Sequence, residues 1–185
     1  MQRWQSVRPW GTHASPILAD RLSRCTDQLV ATRYDSVMSV TTYMRRCLEL
    51  AEAAGRAGDT PVGAVIVRGD EVIGEGIERT RAARDPSAHA EVEAIRQACQ
   101  RLDTLDLRGC SLYSTVEPCV LCGYAIRRTG IAHVFYGVPA GQAGALTSAY
   151  AILADRELDG WPSVPQITKG VLAEECLAAL RRSET

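Results

Sequence analysis

Three metal-ligating side chains occur in two short motifs in the middle of the chain. His89-Ala90-Glu91 follows a polar loop, and Pro118-Cys119-Val120-Leu121-Cys122 follows an apolar run. Two thiolates and one imidazole suit tetrahedral zinc and leave a fourth position open for water. An open position is typical of a catalytic site, because zinc lowers the pKa of bound water to about 7. We therefore predict a catalytic zinc site formed by His89, Cys119 and Cys122.

The spacing of the two motifs predicts that both lie at helix starts. Cys119 and Cys122 are three residues apart, so both sulfurs can reach one ion from a helix that Pro118 begins. Helix N-termini carry unpaired N–H groups and a partial positive charge, which stabilise thiolates and anionic intermediates. Glu91 lies two residues after His89, beside the metal but poorly placed to join its coordination. We predict that this carboxylate moves protons between water and the reacting group.

Two other kinds of site use parts of this pattern and stay open as alternatives. A Cys-x-x-Cys pair alone is also typical of redox proteins, which need no His-x-Glu on a neighbouring helix. A structural zinc module requires four ligands, and the nearest spare thiol, Cys110, falls at the far end of its predicted strand. Seven cysteines without a secretory signal indicate reduced thiols. The joint pattern favours the catalytic site.

The order of the predicted elements indicates the fold class. The predicted strands are 62–67, 72–77, 110–116, 131–136 and 166–168, and the predicted helices are 41 to 55 or 58, 88–101, 118–129, 146–153 and 172–182. Gly69 and Asp70 mark a hairpin turn between the first two strands. Strands that alternate with helices after an initial hairpin predict an α/β protein, a three-layer α/β/α sandwich on a mixed central sheet.

Composition predicts one globular domain that lies neither in a membrane nor on nucleic acid. The chain has 185 residues, of which 46% are apolar, enough for a single core. No stretch approaches the roughly 18 to 20 apolar residues of a membrane helix, and no secretory leader is visible, so we expect a cytoplasmic protein. The net charge is −1, without the basic excess that is typical of nucleic-acid binders.

Residues 1–38 differ from the remainder because they lack a clear periodicity. We interpret them as a weakly ordered N-terminal extension that precedes a domain of residues 39–185. An upstream start, with Met38 as the true first residue, is one alternative. A transit peptide is another, but Asp20, Asp27 and Asp35 count against it because such peptides avoid acidic residues.

The chain resembles a known enzyme family over about Thr41–Leu180. His-x-Glu together with Pro-Cys-x-x-Cys is the signature of zinc deaminases. The matching segments are 61–65, 85–91, 117–122 and 170–176. The chain is similar to the cytidine-deaminase-like superfamily, and within it to the bacterial tRNA adenosine deaminases and guanine deaminases. The resemblance implies zinc as the cofactor, hydrolytic release of ammonia, Glu91 as the proton shuttle and a homodimer.

The same resemblance implies which residues contact the substrate. Val62 and Ala64 belong to the strand that lines the pocket, and Ala90, Glu117 and Pro118 belong to the starts of the two helices. Trp161 is a candidate lid that stacks on the base, although a loop tryptophan packed on the core fits the sequence equally well. Glu78 occupies a position where the family usually carries Asn. An ionised glutamate only accepts hydrogen bonds, which suits a base edge rich in N–H groups; the alternative is a solvated loop carboxylate.

Three departures from the family lead us to expect a small free base as substrate. They are Glu78, the uncharged segment 138–142 in place of Arg-Asp-Ala-Lys, and an end at Thr185 without an aromatic and basic tail. We expect a deaminase of cytosine or a 5-substituted cytosine, guanine or an aminotriazine, with no nucleic-acid partner. The alternative is a tRNA adenosine deaminase, which the match of segment 170–176 favours.

Overall fold

The computed structural model describes residues 37–157, 161–162 and 164–182. The extension predicted for residues 1–38 therefore lies outside the described residues, except for the first two residues of the first helix. The helices are α1 (Val37–Arg56), α2 (Thr80–Ala83), α3 (Ala90–Leu102), α4 (Val120–Thr129) and α5 (Ala173–Arg181), and the strands are β1 (Gly63–Arg68), β2 (Glu71–Ile77), β3 (Cys110–Val116), β4 (His133–Val138) and β5 (Gln166–Lys169).

The five strands form one mixed sheet, which confirms the predicted fold class. The strand order is β2-β1-β3-β4-β5. β1 pairs antiparallel with β2 and β3, whereas β3–β4 and β4–β5 are parallel. The helix α4 connects β3 to β4, whereas the described part of the segment between β4 and β5 contains turns and a short 3-10 helix, Gly141–Ala143. Parallel neighbours need long crossover connections of this kind. None of the helices in the described ranges is both long and apolar enough to cross a membrane.

Successive side chains of the sheet pack into two separate hydrophobic cores, one on each face. Ala64 and Ile66 of β1 pack towards α3 and α4, whereas their neighbours Val65 and Val67 pack towards α1 and α5. Successive strand residues point to opposite faces, so one apolar strand supplies both layers. The sheet is thus covered on both sides, as in a three-layer sandwich.

Two glycines in β2 let α3 pack directly against the strand backbone. A Cβ built at Gly76 would lie 2.0 Å from the carbonyl oxygen of Ala90, and one at Gly74 would lie 2.2 Å from that of Ala94. Any side chain at these positions would push the helix away from the sheet. Because α3 begins directly after His89, these glycines fix the distance between the sheet and the first motif.

Two expectations about local structure were wrong. The segment 146–153 is not a helix but a series of turns. The N–H groups of Leu146 and Thr147 donate to the carboxylate of Glu117, and that of Leu153 donates to the carbonyl of Ala145, so they are not available for a helical ladder. The polar loop predicted after β2 contains the short helix α2, which the apolar periodicity of the sequence does not indicate.

Candidate active site

His89 and Cys119 occupy equivalent positions, each as the N-cap residue of a helix. Both have an extended backbone, with φ −76° and ψ 149° at His89 and φ −73° and ψ 175° at Cys119. Both predicted helices began two residues too early, because both ligands precede the first helical turn. N-cap side chains often bind the N–H groups of their own helix. Neither of these does, so both are free to point into the space between the helices.

The three predicted ligands converge on one point. The ligating atoms of His89, Cys119 and Cys122 all lie within 4.8 Å of one another. The Sγ atom of Cys119 lies 3.6 Å from Nδ1 of His89 and 3.6 Å from Sγ of Cys122. One nitrogen and two sulfurs at these separations fit the preference of zinc for N and S ligands and supply three of its four positions. The donor set therefore fits an open zinc site.

The three ligands also affect one another's protonation. The hydrogen bond with Cys122, followed by that with His89, lowers the pKa of Cys119 to about 4. The hydrogen bond with Cys119 raises the pKa of His89 to about 9. The hydrogen bond with Cys119, followed by burial, raises the pKa of the Cys122 thiol. Cys119 is thus the first thiol to ionise, and thiolate is the form in which cysteine binds metals.

Glu91 lies beside the metal ligands in a buried position. Its side chain is 3% exposed. The hydroxyl of Ser114 on β3 donates to Oε1 at 2.9 Å, and Sγ of Cys122 lies 3.3 Å from Oε2. Burial raises the pKa of the Glu91 carboxyl. A carboxyl that is held by one hydroxyl and has a raised pKa is suited to accept and return a proton near neutral pH.

Glu78 is a buried neighbour of this site and not a solvated loop carboxylate. It is 8% exposed, and its Oε2 accepts the N–H of Ala90 at 3.4 Å. Its own N–H donates to the carbonyl of Val62 at 3.0 Å, which fixes the end of β2 to the chain before β1. Burial raises the pKa of Glu78, and the nearby His89 partly offsets this effect.

Three predicted substrate contacts have no accessible side-chain surface. Ala64 and Ala90 are 0% exposed, and Pro118 is less than 2% exposed. Ala64 packs in the core between the sheet and α3, and the carbonyl of Pro118 accepts the N–H of Ala145 at 2.9 Å. Their side chains therefore shape the walls of the site from behind, whereas Val62 and Trp161 are partly exposed.

Glu117 was expected to contact substrate, but its carboxylate is fully engaged by the following loop. It accepts hydrogen bonds from the backbone N–H of Ala140 (3.1 Å), Leu146 (2.9 Å) and Thr147 (2.9 Å) and from the hydroxyl of Thr147 (2.7 Å). The same loop forms an isolated β-bridge between Gly144 and Cys119. Glu117 thus holds the loop beside a predicted metal ligand.

Trp161 packs against two side chains of α4. Its ring meets that of Tyr124 edge-on at 5.1 Å, and the guanidinium of Arg127 lies 5.8 Å from the ring centroid. Arg127 is 3% exposed and donates to three carbonyls on either side of Trp161 in the sequence, those of Ile152, Asp155 and Pro162. Sequence reasoning missed Arg127, since a mid-helix arginine resembles an exposed one.

The chain is similar to known proteins in both sequence and fold. Residues 37–138 match the family model of the cytidine and deoxycytidylate deaminase zinc-binding region. The chain belongs to this family, the cytidine-deaminase-like zinc deaminases. It is 35% identical to the tRNA-specific adenosine deaminase of Aquifex aeolicus over 76% of this chain and 95% of that protein. Identity to the Haemophilus influenzae tRNA-specific adenosine deaminase is 37%, over 72% of this chain and 76% of that protein.

Solved structures give the same family. A structure from studies of A-to-I editing by tRNA:A34 deaminases matches with a TM-score of 0.71 and 34% identity, over 76% of this chain and 99% of that one. The guanine deaminase of Nitrosomonas europaea matches with a TM-score of 0.65 and 25% identity, over 77% of this chain and 83% of that one.

These relatives contradict two of our expectations, namely a free base as the main substrate and the absence of a nucleic-acid partner. The similar proteins with high coverage act on tRNA according to their names. The inference from net charge failed because a value of −1 averages over 185 residues and does not exclude a local basic surface. The inference from Glu78 failed because it gave one changed side chain more weight than the similarity to tRNA adenosine deaminases over most of the chain.

Proposed function

We propose that this chain is a zinc-dependent hydrolytic deaminase that converts adenosine to inosine in tRNA. The observation that carries the proposal is the convergence of His89, Cys119 and Cys122 beside the buried Glu91. The identity of more than a third to tRNA-specific adenosine deaminases supports the substrate. The reaction adds water at the ring carbon that bears the amino group and releases ammonia, so that adenosine plus water gives inosine plus ammonia.

His89, Cys119 and Cys122 would hold the zinc ion, which would supply Lewis-acid activation of water at neutral pH. Glu91 takes one proton from the attacking water as its oxygen bonds to the ring carbon. The carboxyl then gives that proton to the adjacent ring nitrogen, and a further transfer to the amino group makes ammonia a leaving group. Ser114 keeps the carboxyl in position through its hydrogen bond to Oε1 at 2.9 Å.

The depth of the site favours a nucleotide from a single-stranded loop. Glu91 is only 3% exposed, so a base that is stacked in a duplex cannot reach it. Enzymes that act on a base take it out of its stack, and unpaired loop nucleotides are the cheapest to extrude. An anticodon-loop adenosine meets this requirement.

The decisive experiment is inosine formation by the zinc-loaded full chain on an anticodon stem-loop RNA with adenosine at the wobble position. We expect conversion to inosine with release of an equal amount of ammonia, measured by mass spectrometry of the nucleosides. Glu91→Gln should reduce kcat by about 10²–10⁴ while the zinc content stays at one ion per chain. Wild-type protein that binds zinc but leaves the RNA unchanged would refute the proposal.

A matched RNA and a matched variant separate the chemistry from binding. The same stem-loop with guanosine at the wobble position should release no ammonia. Cys99→Ser, a half-buried thiol outside the predicted ligand set, should keep both zinc and activity. Homodimeric assembly and a cytoplasmic location stay predictions and are not needed for this test.

A further inference from the structure

Three exposed arginines lie in the short turn that joins β2 to the first motif. Arg79, Arg81 and Arg84 occupy the sequence 79–84, and all three side chains are exposed. The described ion pairs involve other arginines, and none of them includes these three. Two acids flank the turn in the sequence and accept hydrogen bonds elsewhere: Glu78 from the N–H of Ala90, and Asp85 from the N–H and hydroxyl of Ser87. The turn therefore exposes three guanidinium groups in a chain with a net charge of −1.

The turn is held rigidly although its surface is polar. Asp59, which is 2% exposed, accepts the N–H of Arg81 at 2.7 Å and that of Ala82 at 3.1 Å. These two bonds satisfy donors at the start of α2, as an N-cap residue would, but from a distant part of the chain. The arginine backbone is thus fixed. The guanidinium of Arg81 also donates to the carbonyl of Gly58 at 3.3 Å, so binding a ligand would require ordering of the Arg79 and Arg84 side chains and reorientation of Arg81.

Both ends of the turn meet the candidate active site. It begins directly after Glu78, whose carboxylate accepts the N–H of Ala90, and it ends before His89. The N–H of Arg79 donates to the carbonyl of Ala88 at 3.0 Å, which closes the turn at its base. The three guanidinium groups are therefore attached to a closed loop whose base lies within one residue of a predicted zinc ligand.

Arg84 ends α2 as a left-handed cap residue. It has φ 52° and ψ 38°, the conformation that favours glycine or asparagine at the end of a helix. Glycine would satisfy the turn but would remove the third positive charge.

We propose that Arg79, Arg81 and Arg84 bind the phosphates of the RNA segment that flanks the deaminated nucleotide. The guanidinium group pairs with phosphate through two parallel hydrogen bonds and stays charged at every relevant pH. Phosphate contacts position a nucleic acid without reading its sequence, which is the task of a surface beside a site that reads one base. The inference rests on the proposed function, because it assumes that the substrate is RNA.

The test compares two triple variants with equal net charge. The first carries Arg79→Gln, Arg81→Gln and Arg84→Gln; the second carries Arg45→Gln, Arg68→Gln and Arg128→Gln. The control arginines are likewise exposed and absent from the described ion pairs. The strand β1 begins at Gly63, near the site, and Arg68 lies at its other end. Both sets are built in zinc-loaded Glu91→Gln protein, so that the RNA is not converted during the binding measurement.

Fluorescence anisotropy with a labelled anticodon stem-loop measures Kd from about 50 to 200 mM salt. We expect Kd of the arginine-turn variant to rise about tenfold. The slope of log Kd against log salt should fall by about 2, since each lost single-strand phosphate contact contributes about 0.7. The control triple variant should keep the salt slope of the Glu91→Gln protein that carries no other change.

Equal slopes in the two triple variants would overturn the proposal, because the effect would then come from net charge alone. Restoring Glu91 separates this inference from the proposed function. If the wild-type protein binds RNA through the turn but forms no inosine, the phosphate surface stands and the deaminase assignment fails. If inosine forms and the arginine-turn variant keeps the wild-type KM, the deaminase assignment stands and the phosphate surface fails.

Discussion

Two regions around α4 are built on opposite principles. At the start of the helix, Cys119 and Cys122 are positioned by the element that carries them, a strand that ends and a helix that begins. The segment 140–157 has no such element, and its path follows two buried charges. Glu117 binds its first half and Arg127 its second half, from positions up to 30 residues away.

This difference predicts different consequences of mutation. A ligand that a helix start positions can be replaced without changing the fold, because the backbone geometry does not depend on the side chain. A charge that organises a loop cannot be removed without loss of stability, because several backbone groups lose their partner at once. Chemistry and stability should therefore separate cleanly between the two regions.

The largest effect is expected at the first region. Cys119→Ser replaces a thiolate by a hydroxyl, which is a poor zinc ligand, so zinc content and inosine formation should both fall to background. The midpoint of urea unfolding for the metal-free protein should change little, because Cys119 makes no capping bond. Metal analysis and denaturation of chelator-treated wild type and variant test this. A variant that keeps one zinc ion per chain would remove Cys119 from the ligand set.

The second prediction concerns the loop that Glu117 holds. Glu117→Gln turns an NH₂ group towards backbone N–H donors, so at least one buried donor loses its acceptor. We expect a loss of about 2 to 4 kcal/mol in the free energy of unfolding, measured by urea denaturation. Amide hydrogen exchange should speed up at Leu146 and Thr147, which now donate to the carboxylate. A stable variant with unchanged exchange would show that the loop forms without this charge.

Gly144→Ala probes the same loop without a change of charge. A Cβ at Gly144 would lie 2.3 Å from Oε1 of Glu117, too close for any real contact. The variant should therefore lose stability in the same direction as Glu117→Gln, and the two effects should not add. Additive losses would mean that the glycine and the carboxylate act separately.

The same division explains what the sequence could and could not predict. The fold class and the predicted ligands His89, Cys119 and Cys122 follow from local signals, namely short apolar runs and helix starts. The helix predicted for 146–153 was wrong, because its apolar residues have helical spacing whereas its N–H groups bind partners far away in the chain. The loop contacts of Glu117 were not predicted for the same reason, since no local pattern distinguishes a substrate contact from a loop anchor.

Arg127 should show the middle effect. Arg127→Met keeps the apolar stem but removes three hydrogen bonds to carbonyls of Ile152, Asp155 and Pro162. Since water can reach part of this segment, we expect a loss of about 1 to 3 kcal/mol in the free energy of unfolding. The neighbouring Arg128 is exposed, so Arg128→Met should stay within about 0.5 kcal/mol of wild type. Equal losses in the two variants would contradict a specific role for the buried guanidinium.

The smallest loss of stability is expected at Asp59. Its side chain caps the start of α2, but it belongs to a distant part of the chain, so it combines a helix start with a buried charge. Asp59→Asn keeps one acceptor oxygen but faces its NH₂ group towards one of the N–H groups of Arg81 and Ala82. The loss should be about 1 kcal/mol, the usual value of an N-cap. The more informative readout is RNA binding, because the variant changes no arginine.

If the turn must be rigid for its arginines to reach the phosphates, Asp59→Asn should raise Kd for the stem-loop while the salt slope stays at its wild-type value. The number of phosphate contacts is then unchanged, and only the cost of ordering the turn has increased. A lower slope would instead mean that loosening the turn detaches whole contacts. Amide hydrogen exchange at Arg81 and Ala82, measured on the same samples, should be faster than in wild type if the turn has loosened and unchanged if it has not.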